Sequence, residues 1–128
     1  MKQPILVVDD NPANATLLTF LLEAEGYDVR SVSDAHEALA QLDSFKPLLI
    51  LMDIQIPEMD GLELTRRLKA DARWRGVLIV ALTAYAMKGD EERARAAGCD
   101  AYISKPIDTR TLPMRIAELL TTGPADRA

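Results

Sequence analysis

The stretch Leu48 to Gly61, LLILMDIQIPEMDG, constrains the fold more than any other part of the sequence. Its first five residues, Leu48 to Met52, are apolar without polar alternation, which is typical of a strand covered on both faces in a parallel sheet. Asp53 follows directly, at the carboxyl end of this predicted strand. Ligands of open α/β sheets bind beyond these strand ends, so Asp53 is a candidate functional residue. An aspartate here can also be only a turn former, and the rest of the chain must decide.

Apolar runs alternate with helix-like segments along the whole chain. The five predicted strands are 5–8, 28–32, 48–52, 77–82 and 101–104. Helices are predicted after each of them, with Asn11 and Asp34 as N-caps and with Gly26 and Gly98 at two of the helix ends. This alternation indicates βαβ units, and therefore an α/β fold with a doubly wound five-stranded parallel sheet between two layers of helices.

The predicted helices differ in the strength of their apolar faces. The buried face predicted for the first helix consists of Leu18, Leu21, Leu22 and Phe20. The fourth helix, predicted over 87–97, offers only Met87 and small alanines among charged residues, so we expect its packing to be adjustable. The last helix starts at Asp108 or nearer Thr111. Trp74 is expected to cover a helix end.

Composition limits the number of domains and the classes of partner. A chain of 128 residues that is 48% hydrophobic fits one domain, predicted over 1–121 with a disordered tail at 122–128. The net charge of -5, without a basic cluster, argues against direct binding to DNA. No signal peptide or membrane-spanning run is visible, so we expect a cytoplasmic protein. The single cysteine, Cys99, excludes an internal disulfide and is expected to be buried.

Polar side chains follow four of the five predicted strands at the same end. Asp9 and Asp10 follow the first strand, Asp53 the third, Thr83 the fourth and Lys105 the fifth. Parallel strands bring their carboxyl ends to one edge of a sheet, so these side chains are expected to share one rim.

Three carboxylates on one rim require a cation. At a separation of a few ångströms each pair repels by roughly 4 kcal/mol at an effective dielectric constant of 20. Only oxygen ligands are offered, without His or Cys nearby, and this donor set selects Mg²⁺, for which Mn²⁺ could substitute. A phosphoryl group beside the metal would be stabilised by the Lys105 ammonium and the Thr83 hydroxyl. Asp53 could then act as a nucleophile and form an acyl phosphate.

Four segments together resemble the receiver domain of two-component response regulators. They are VVDD at 7–10, LMDIQIPEMDG at 51–61, ALTA at 81–84 and YISKP at 102–106. The resemblance covers about residues 4–121 and implies a flavodoxin-like fold with strand order 2-1-3-4-5. Only a few residues follow the last predicted helix, so we expect a single-domain regulator, for which a receiver excised from a hybrid histidine kinase is the alternative.

The resemblance assigns the metal site and the phosphoacceptor. Asp53 would accept a phosphoryl group from a histidine kinase or a histidine phosphotransfer protein. Asp10 and Asp53 would bind Mg²⁺ directly, with the backbone carbonyl of Gln55 as a third ligand and with Asp9 supporting through water. The protein would thus be a phosphoacceptor that catalyses only its own phosphorylation and dephosphorylation.

The same resemblance names residues that respond to phosphorylation. Lys105 would contact the phosphoryl oxygens, and the peptide between Lys105 and Pro106 would be cis. The hydroxyl of Thr83 would move toward the phosphate while Tyr102 turns inward, although Tyr102 can also be ordinary strand packing.

Two further positions, Gln55 and Tyr85, match those that set the lifetime of the acyl phosphate. The bulky Tyr85 would screen attacking water, so we expect slow hydrolysis. His36, at the start of the second helix, is expected to be solvated and to have no role in phosphotransfer.

Partners are expected on two surfaces. The fourth helix, fifth strand and fifth helix would contact a downstream protein effector, and the first helix near Asn11 and Asn14 would dock the phosphodonor. No membrane contact is expected, and the protein would be a monomer or a weak, phosphorylation-dependent dimer.

Three other classes of function compete with this interpretation. Aspartyl-phosphate phosphatases and phosphotransferases generally place a second carboxylate two residues after the nucleophile, where this chain has Gln55. A receiver-like scaffold usually loses an acidic or lysine position, whereas all are present here. A nucleotide enzyme is disfavoured because neither a G-x-x-x-x-G-K-[ST] nor a G-x-G-x-x-G run occurs.

Overall fold

Strands and helices alternate along the chain as predicted. The computed structural model describes residues 3–54, 61–83, 90–104 and 107–122. Its strands are β1 (Pro4–Val8), β2 (Asp28–Val32), β3 (Leu49–Asp53), β4 (Leu78–Thr83) and β5 (Ala101–Ser104). Its helices are α1 (Pro12–Ala24), α2 (Ala35–Phe45), α3 (Gly61–Ala70), α4 (Asp90–Ala97) and α5 (Leu112–Thr122).

The five strands form one parallel sheet in the order β2-β1-β3-β4-β5. The chain thus moves outward from β1 to β2 and then returns to the other side of β1, which makes the gap between β1 and β3 the switch point of the topology. This confirms the flavodoxin-like fold and its predicted order. In such sheets the crevice at the switch point is the usual place for ligands.

Apolar side chains cover both faces of the sheet, which explains the uninterrupted apolar runs. Leu6, Ile50 and Ile79 belong to a core shared with α2, α3 and α4, whereas Val7 and Leu51 belong to a second core shared with α1 and α5. Each fully buried side chain of this size contributes about 1.5–3 kcal/mol relative to exposure. β1 and β3, which lead to the acidic residues, are therefore firmly anchored in the core.

Capping residues begin the first two helices as predicted. The Asn11 side chain accepts hydrogen bonds from the backbone N–H groups of Ala13 and Asn14, at 2.9 and 3.3 Å. Asp34 accepts from the N–H of Glu37 at 2.8 Å. The Glu37 carboxylate reaches back to the backbone N–H and the hydroxyl of Ser33, 2.7 Å away in each case, and these hydrogen bonds lower its pKa.

The predicted packing was wrong at Phe20, whose side chain is 69% exposed. Leu18 and Leu22 are buried on one face of α1, and Phe20 lies roughly 200° from Leu18 around the helix. The third strand is also shifted by one residue, because Leu48 is exposed and β3 ends with Asp53 itself.

The packing predictions for the last helix and for Cys99 are confirmed, whereas the prediction that Trp74 covers a helix end stays a prediction. Trp74 is partly buried against the core, with the guanidinium of Arg73 5.5 Å from its ring centre. The last helix begins at Leu112, the later of the two predicted starts. Cys99 is buried, and burial raises the pKa of its thiol to about 11.

Some predictions fall outside the described ranges. The fourth helix was predicted from Met87, and the described part, Asp90–Ala97, buries Ala94 and Ala97. The tail predicted at 122–128 stays a prediction, since 123–128 are not described. None of the helices in the described ranges is long and apolar enough to cross a membrane.

Candidate functional site

The fold brings the three acidic residues of the predicted rim together. Asp9 and Asp10 follow β1, and Asp53 ends β3, which pairs with β1 so that Val8 lies opposite Met52. One carboxylate oxygen from each aspartate lies within 4.8 Å of the other two. The side chains of Asp9 and Asp53 are buried, at 2% and 5% exposure, whereas Asp10 is exposed. The cluster therefore has a buried base and one residue facing solvent.

Asp9 connects the cluster to the neighbouring strand and helix. Its backbone N–H donates to the carbonyl of Val32 at the end of β2, at 3.0 Å. Its Oδ1 accepts a hydrogen bond of 2.9 Å from the N–H of Asn11, the N-cap of α1. The orientation of Asp9 is thus fixed by backbone contacts on two sides.

Gly61, the first residue of α3, allows this helix to approach the end of β3 closely. Its N–H donates to the carbonyl of Ile54 at 3.1 Å. A Cβ atom at this position would lie against the carbonyl oxygen of Asp53 and 2.8 Å from the Cα of Ile54. The sequence did not predict this role, although the glycine that ends the segment LMDIQIPEMDG was a signal for it.

Thr83 is the last residue of β4 and is 1% exposed. Leu82 pairs with Asp53, and Thr83 pairs with Ser104 of β5. Thr83 therefore lies on the predicted rim, one residue beyond the level of Asp53.

Tyr102, the second residue of β5, is half-buried against the core that contains α2, α3 and α4. The side chain of Arg115 donates to its backbone carbonyl at 3.1 Å and so links α5 to β5. His36 is exposed on α2, as predicted for a solvated residue.

The remaining predicted site residues lie outside the described ranges. They are Gln55, Tyr85, Lys105 and Pro106. The roles given to them by the resemblance stay predictions.

A cleft of about 300 Å³ opens beside the acidic cluster. Asp9 and Asp10 form one wall, and Thr16, Ser31 and Glu37 are among the other lining residues. The exposed carboxylate of Asp10 therefore faces a space that a hydrated ion can reach.

The donor set fits a hard divalent cation. The cluster offers carboxylate oxygens alone, and oxygen is the ligand that Mg²⁺ prefers. Carboxylates a few ångströms apart repel each other, and a divalent cation removes that repulsion. The three aspartates are therefore able to bind a metal ion.

A doubly wound parallel sheet with a cation-binding acidic cluster at its β1–β3 switch point defines a receiver-type phosphoacceptor domain. Residues 5–117 match the family described as "Response regulator receiver domain", and the chain belongs to this family.

A curated relative supports the same assignment. The chain is 50% identical over 107 residues to the polar-differentiation response regulator DivK of Brucella anthropi, and the match covers 84% of this chain and 87% of the relative. Membership in this family distinguishes between the competing classes, because it makes the protein a phosphoacceptor of two-component signalling rather than a turnover enzyme.

Solved structures show the same fold. The receiver domain of the sensor histidine kinase PA1611 from Pseudomonas aeruginosa PAO1, which has a magnesium ion coordinated in its active-site cleft, is 36% identical with a TM-score of 0.85. That similarity covers 94% of this chain and 99% of the other. A CheY-like receiver domain protein from Methanospirillum hungatei JF-1 is 34% identical with a TM-score of 0.87, over 95% and 96% of the two chains.

Metal binding should be visible as a gain in stability. We expect Mg²⁺ to raise the Tm of the protein, since a ligand that binds only the folded state at 100 times its Kd adds about 2.7 kcal/mol to the free energy of unfolding. Asp10→Ala should abolish the rise, because it removes one of the three carboxylates. Thermal denaturation with and without Mg²⁺ measures both effects.

Asp43→Ala is the matched control, because Asp43 is an exposed aspartate of α2 outside the cluster, with 81% of its side chain accessible. It should retain the full Mg²⁺-dependent rise. Equal rises in the wild type and in Asp10→Ala would contradict the assignment of the cluster as the metal site.

Proposed function

We propose that Asp53 is the residue that accepts a phosphoryl group from a histidine kinase or a histidine phosphotransfer protein. The convergence of Asp9, Asp10 and Asp53 at the switch point of the sheet is the single observation that carries this proposal. Asp53 is the member of the cluster at the end of the central strand β3, and it lies opposite Leu82 of β4, one residue beyond the pairing of Met52 with Val8 of β1.

The reaction is a transfer between two nucleophiles. A carboxylate oxygen of Asp53 attacks the phosphorus atom of a phosphohistidine, so that a P–O bond forms while the P–N bond breaks. The imidazole of the donor leaves and takes up a proton. The products are an acyl phosphate on Asp53 and a dephosphorylated histidine on the donor, and no third reactant is consumed.

Mg²⁺ would supply charge neutralisation for the aspartates and for the incoming phosphoryl oxygens. We assign Asp10 and Asp53 as its direct protein ligands, together with the backbone carbonyl of Gln55. Asp9 would support the ion largely through water, which agrees with its fixed hydrogen bond to Asn11. The all-oxygen cluster also suits Mn²⁺ as a substitute.

Two further groups would stabilise the transferred phosphoryl group. Lys105 follows β5 directly in sequence, and its ammonium would contact the phosphoryl oxygens. Thr83 ends β4 on the same rim, and its hydroxyl would donate a hydrogen bond to the phosphate. On the basis of the family resemblance, the peptide between Lys105 and Pro106 would be cis.

Phosphorylation would change the positions of Thr83 and Tyr102, and this conformational change would extend to the surface formed by α4, β5 and α5. In the described part of α4 the buried side chains are the alanines 94 and 97, so little apolar contact has to be broken when this helix shifts. We propose that this surface contacts a downstream protein effector. The phosphodonor would dock on α1 near Asn11, which is exposed beside the cluster.

The protein would act as a DivK-like response regulator, in line with the match that covers 84% of this chain and 87% of the relative. We place it in the cytoplasm as a monomer or a weak dimer formed on phosphorylation.

Phosphorylation by a small-molecule donor tests the proposal. Wild-type protein incubated with acetyl phosphate and Mg²⁺ should gain the mass of one phosphoryl group, because the aspartate itself is the nucleophile. Asp53→Asn should gain none, since a neutral amide cannot attack. Intact-mass spectrometry and mobility in a phosphate-binding gel measure the product.

The control for that experiment is Asp43→Asn, which neutralises an aspartate outside the cluster and should be labelled like the wild type. Equal labelling of wild type and Asp53→Asn would refute the assignment of the phosphoacceptor.

The lifetime of the acyl phosphate tests the role of Tyr85. We expect slow hydrolysis in the purified protein, because the ring would screen the phosphoryl group from water. Tyr85→Ala should shorten the lifetime, whereas Tyr85→Phe, which keeps the ring, should preserve it. The decay of the phosphorylated mass after removal of acetyl phosphate measures the rate. Rapid decay in the wild type that Tyr85→Ala leaves unchanged would eliminate the screening role.

A further inference from the structure

A buried ion pair joins α3 to the start of β5. Asp100 directly precedes β5, and only 1% of its side chain is exposed. Its Oδ2 lies 3.0 Å from the Nζ of Lys69, which is near the end of α3 and is 17% exposed. Lys69 and Asp100 are 31 residues apart in sequence, so the pair connects distant parts of the fold.

Lys69 also holds the connection between α3 and β4. Its ammonium donates to the backbone carbonyls of Arg75 and Val77, at 3.2 and 2.9 Å, in addition to Asp100. An ammonium group has three N–H donors, and these three acceptors use all of them. Lys69 is therefore fixed in place and in turn fixes the carboxylate.

Asp100 extends the ladder between β4 and β5 by one step. Its backbone N–H donates to the carbonyl of Ile79 at 2.7 Å, and its Oδ2 accepts from the N–H of Ile79, also at 2.7 Å. The regular pairing of the two strands begins one residue later, with Val80 opposite Ala101. The carboxylate thus takes the place that a backbone carbonyl would have in a longer strand.

The register of β5 depends on this first step. β5 has four residues and lies at the edge of the sheet, with β4 as its one neighbouring strand. A slip of one residue would turn every side chain to the other face, and a slip of two would move it by roughly 6.6 Å. Ser104, the last residue of β5, lies opposite Thr83, and Lys105 follows it. By holding β5 in register with β4, the ion pair therefore determines where the C-terminal end of β5 lies on the rim.

The turn after α4 is packed onto the same lysine. Gly98 has a φ of +110°, and a Cβ atom there would lie 2.8 Å from the Cγ of Lys69. The Sγ of Cys99 lies 3.8 Å from the hydroxyl oxygen of Thr65, which is on α3. The C-terminal end of α4 is thus held against α3 by residues 98–100.

We propose that Lys69 and Asp100 are positioning residues for phosphoryl transfer, which hold β5 in register with β4 and fix the C-terminal end of α4. The proposal rests on the function proposed above. It assigns the pair no contact with the phosphoryl group, since it lies at the opposite end of β4 and β5 from Thr83 and Ser104.

The test compares phosphorylation with metal binding in the variants Lys69→Met and Asp100→Asn. At a temperature at which each variant is folded, we expect the rate of phosphorylation by acetyl phosphate to fall about ten-fold to a hundred-fold, because misplacement by about 1 Å has effects of this size. The affinity for Mg²⁺ should stay within about two-fold, because the aspartates lie on β1 and β3 and sites without shared partners act independently.

Arg66→Met is the matched control. Arg66 also lies on α3 and also forms an ion pair, with Glu63 at 3.0 Å, but this pair is exposed. The variant should keep both the phosphorylation rate and the Mg²⁺ affinity of the wild type.

The double variant Lys69→Met/Asp100→Asn separates positioning from stability. It leaves no uncompensated buried charge, so it should melt higher than the single variants. Its phosphorylation rate should remain low, because the link between α3 and β5 is absent. If the double variant regained the wild-type phosphorylation rate along with its higher stability, the proposal would be overturned.

Hydrogen exchange provides a measurement that does not depend on phosphorylation. Backbone amides of 101–104 and 92–97 should exchange faster in the single variants than in Arg66→Met, because both segments lose their anchor. Unchanged exchange at these amides would overturn the positioning role. A wild type that accepts no phosphate would contradict the proposed function alone, and the exchange rates would still decide the role of the pair.

Discussion

Electrostatic repulsion among the carboxylates of Asp9, Asp10 and Asp53 is the constraint on which the structure depends. Two of these side chains are nearly buried, and the three offer oxygens within 4.8 Å of one another. A pair at 4 Å repels by roughly 4 kcal/mol at an effective dielectric constant of 20, which is comparable to a large part of the stability of a domain. The surrounding fold therefore holds the three carboxylates together, and a bound cation relieves their mutual repulsion.

The fold supplies this support through β1 and β3, two buried inner strands of the sheet. β1 and β3 lie between other strands and are covered by apolar cores on both faces, so their ends cannot move apart easily. The close approach of α3 at Gly61 and the hydrogen bond from Asn11 to Asp9 hold the two acidic strand ends from outside. In contrast, β5 is short and lies at the edge, and the Lys69–Asp100 pair compensates for this. The acidic part of the site, at the ends of β1 and β3, is thus rigid. The part of the site at the end of β5 depends for its position on one buried ion pair.

The sequence predicted the α/β class and the acidic cluster because both follow from local patterns, whereas the strand order came from the family resemblance. Continuous apolar runs marked the strands, Asn11 and Asp34 marked helix starts, and parallel strands bring their ends to one edge. It did not predict contacts that join distant residues, such as Lys69 with Asp100, or the close approach at Gly61. The error at Phe20 arose because a leucine-rich helix offers more apolar residues than one face can bury. These features depend on tertiary packing, to which single-residue patterns are insensitive.

The most direct test is fluorine NMR of the protein with beryllofluoride, which imitates a phosphoryl group bound to a carboxylate. If the acidic cluster needs a cation to hold such a group on Asp53, a bound fluorine signal should appear with Mg²⁺ and vanish when the metal is chelated. Asp53→Asn should show no bound signal under either condition. A bound signal of equal intensity in metal-free protein, or in Asp53→Asn, would contradict the account.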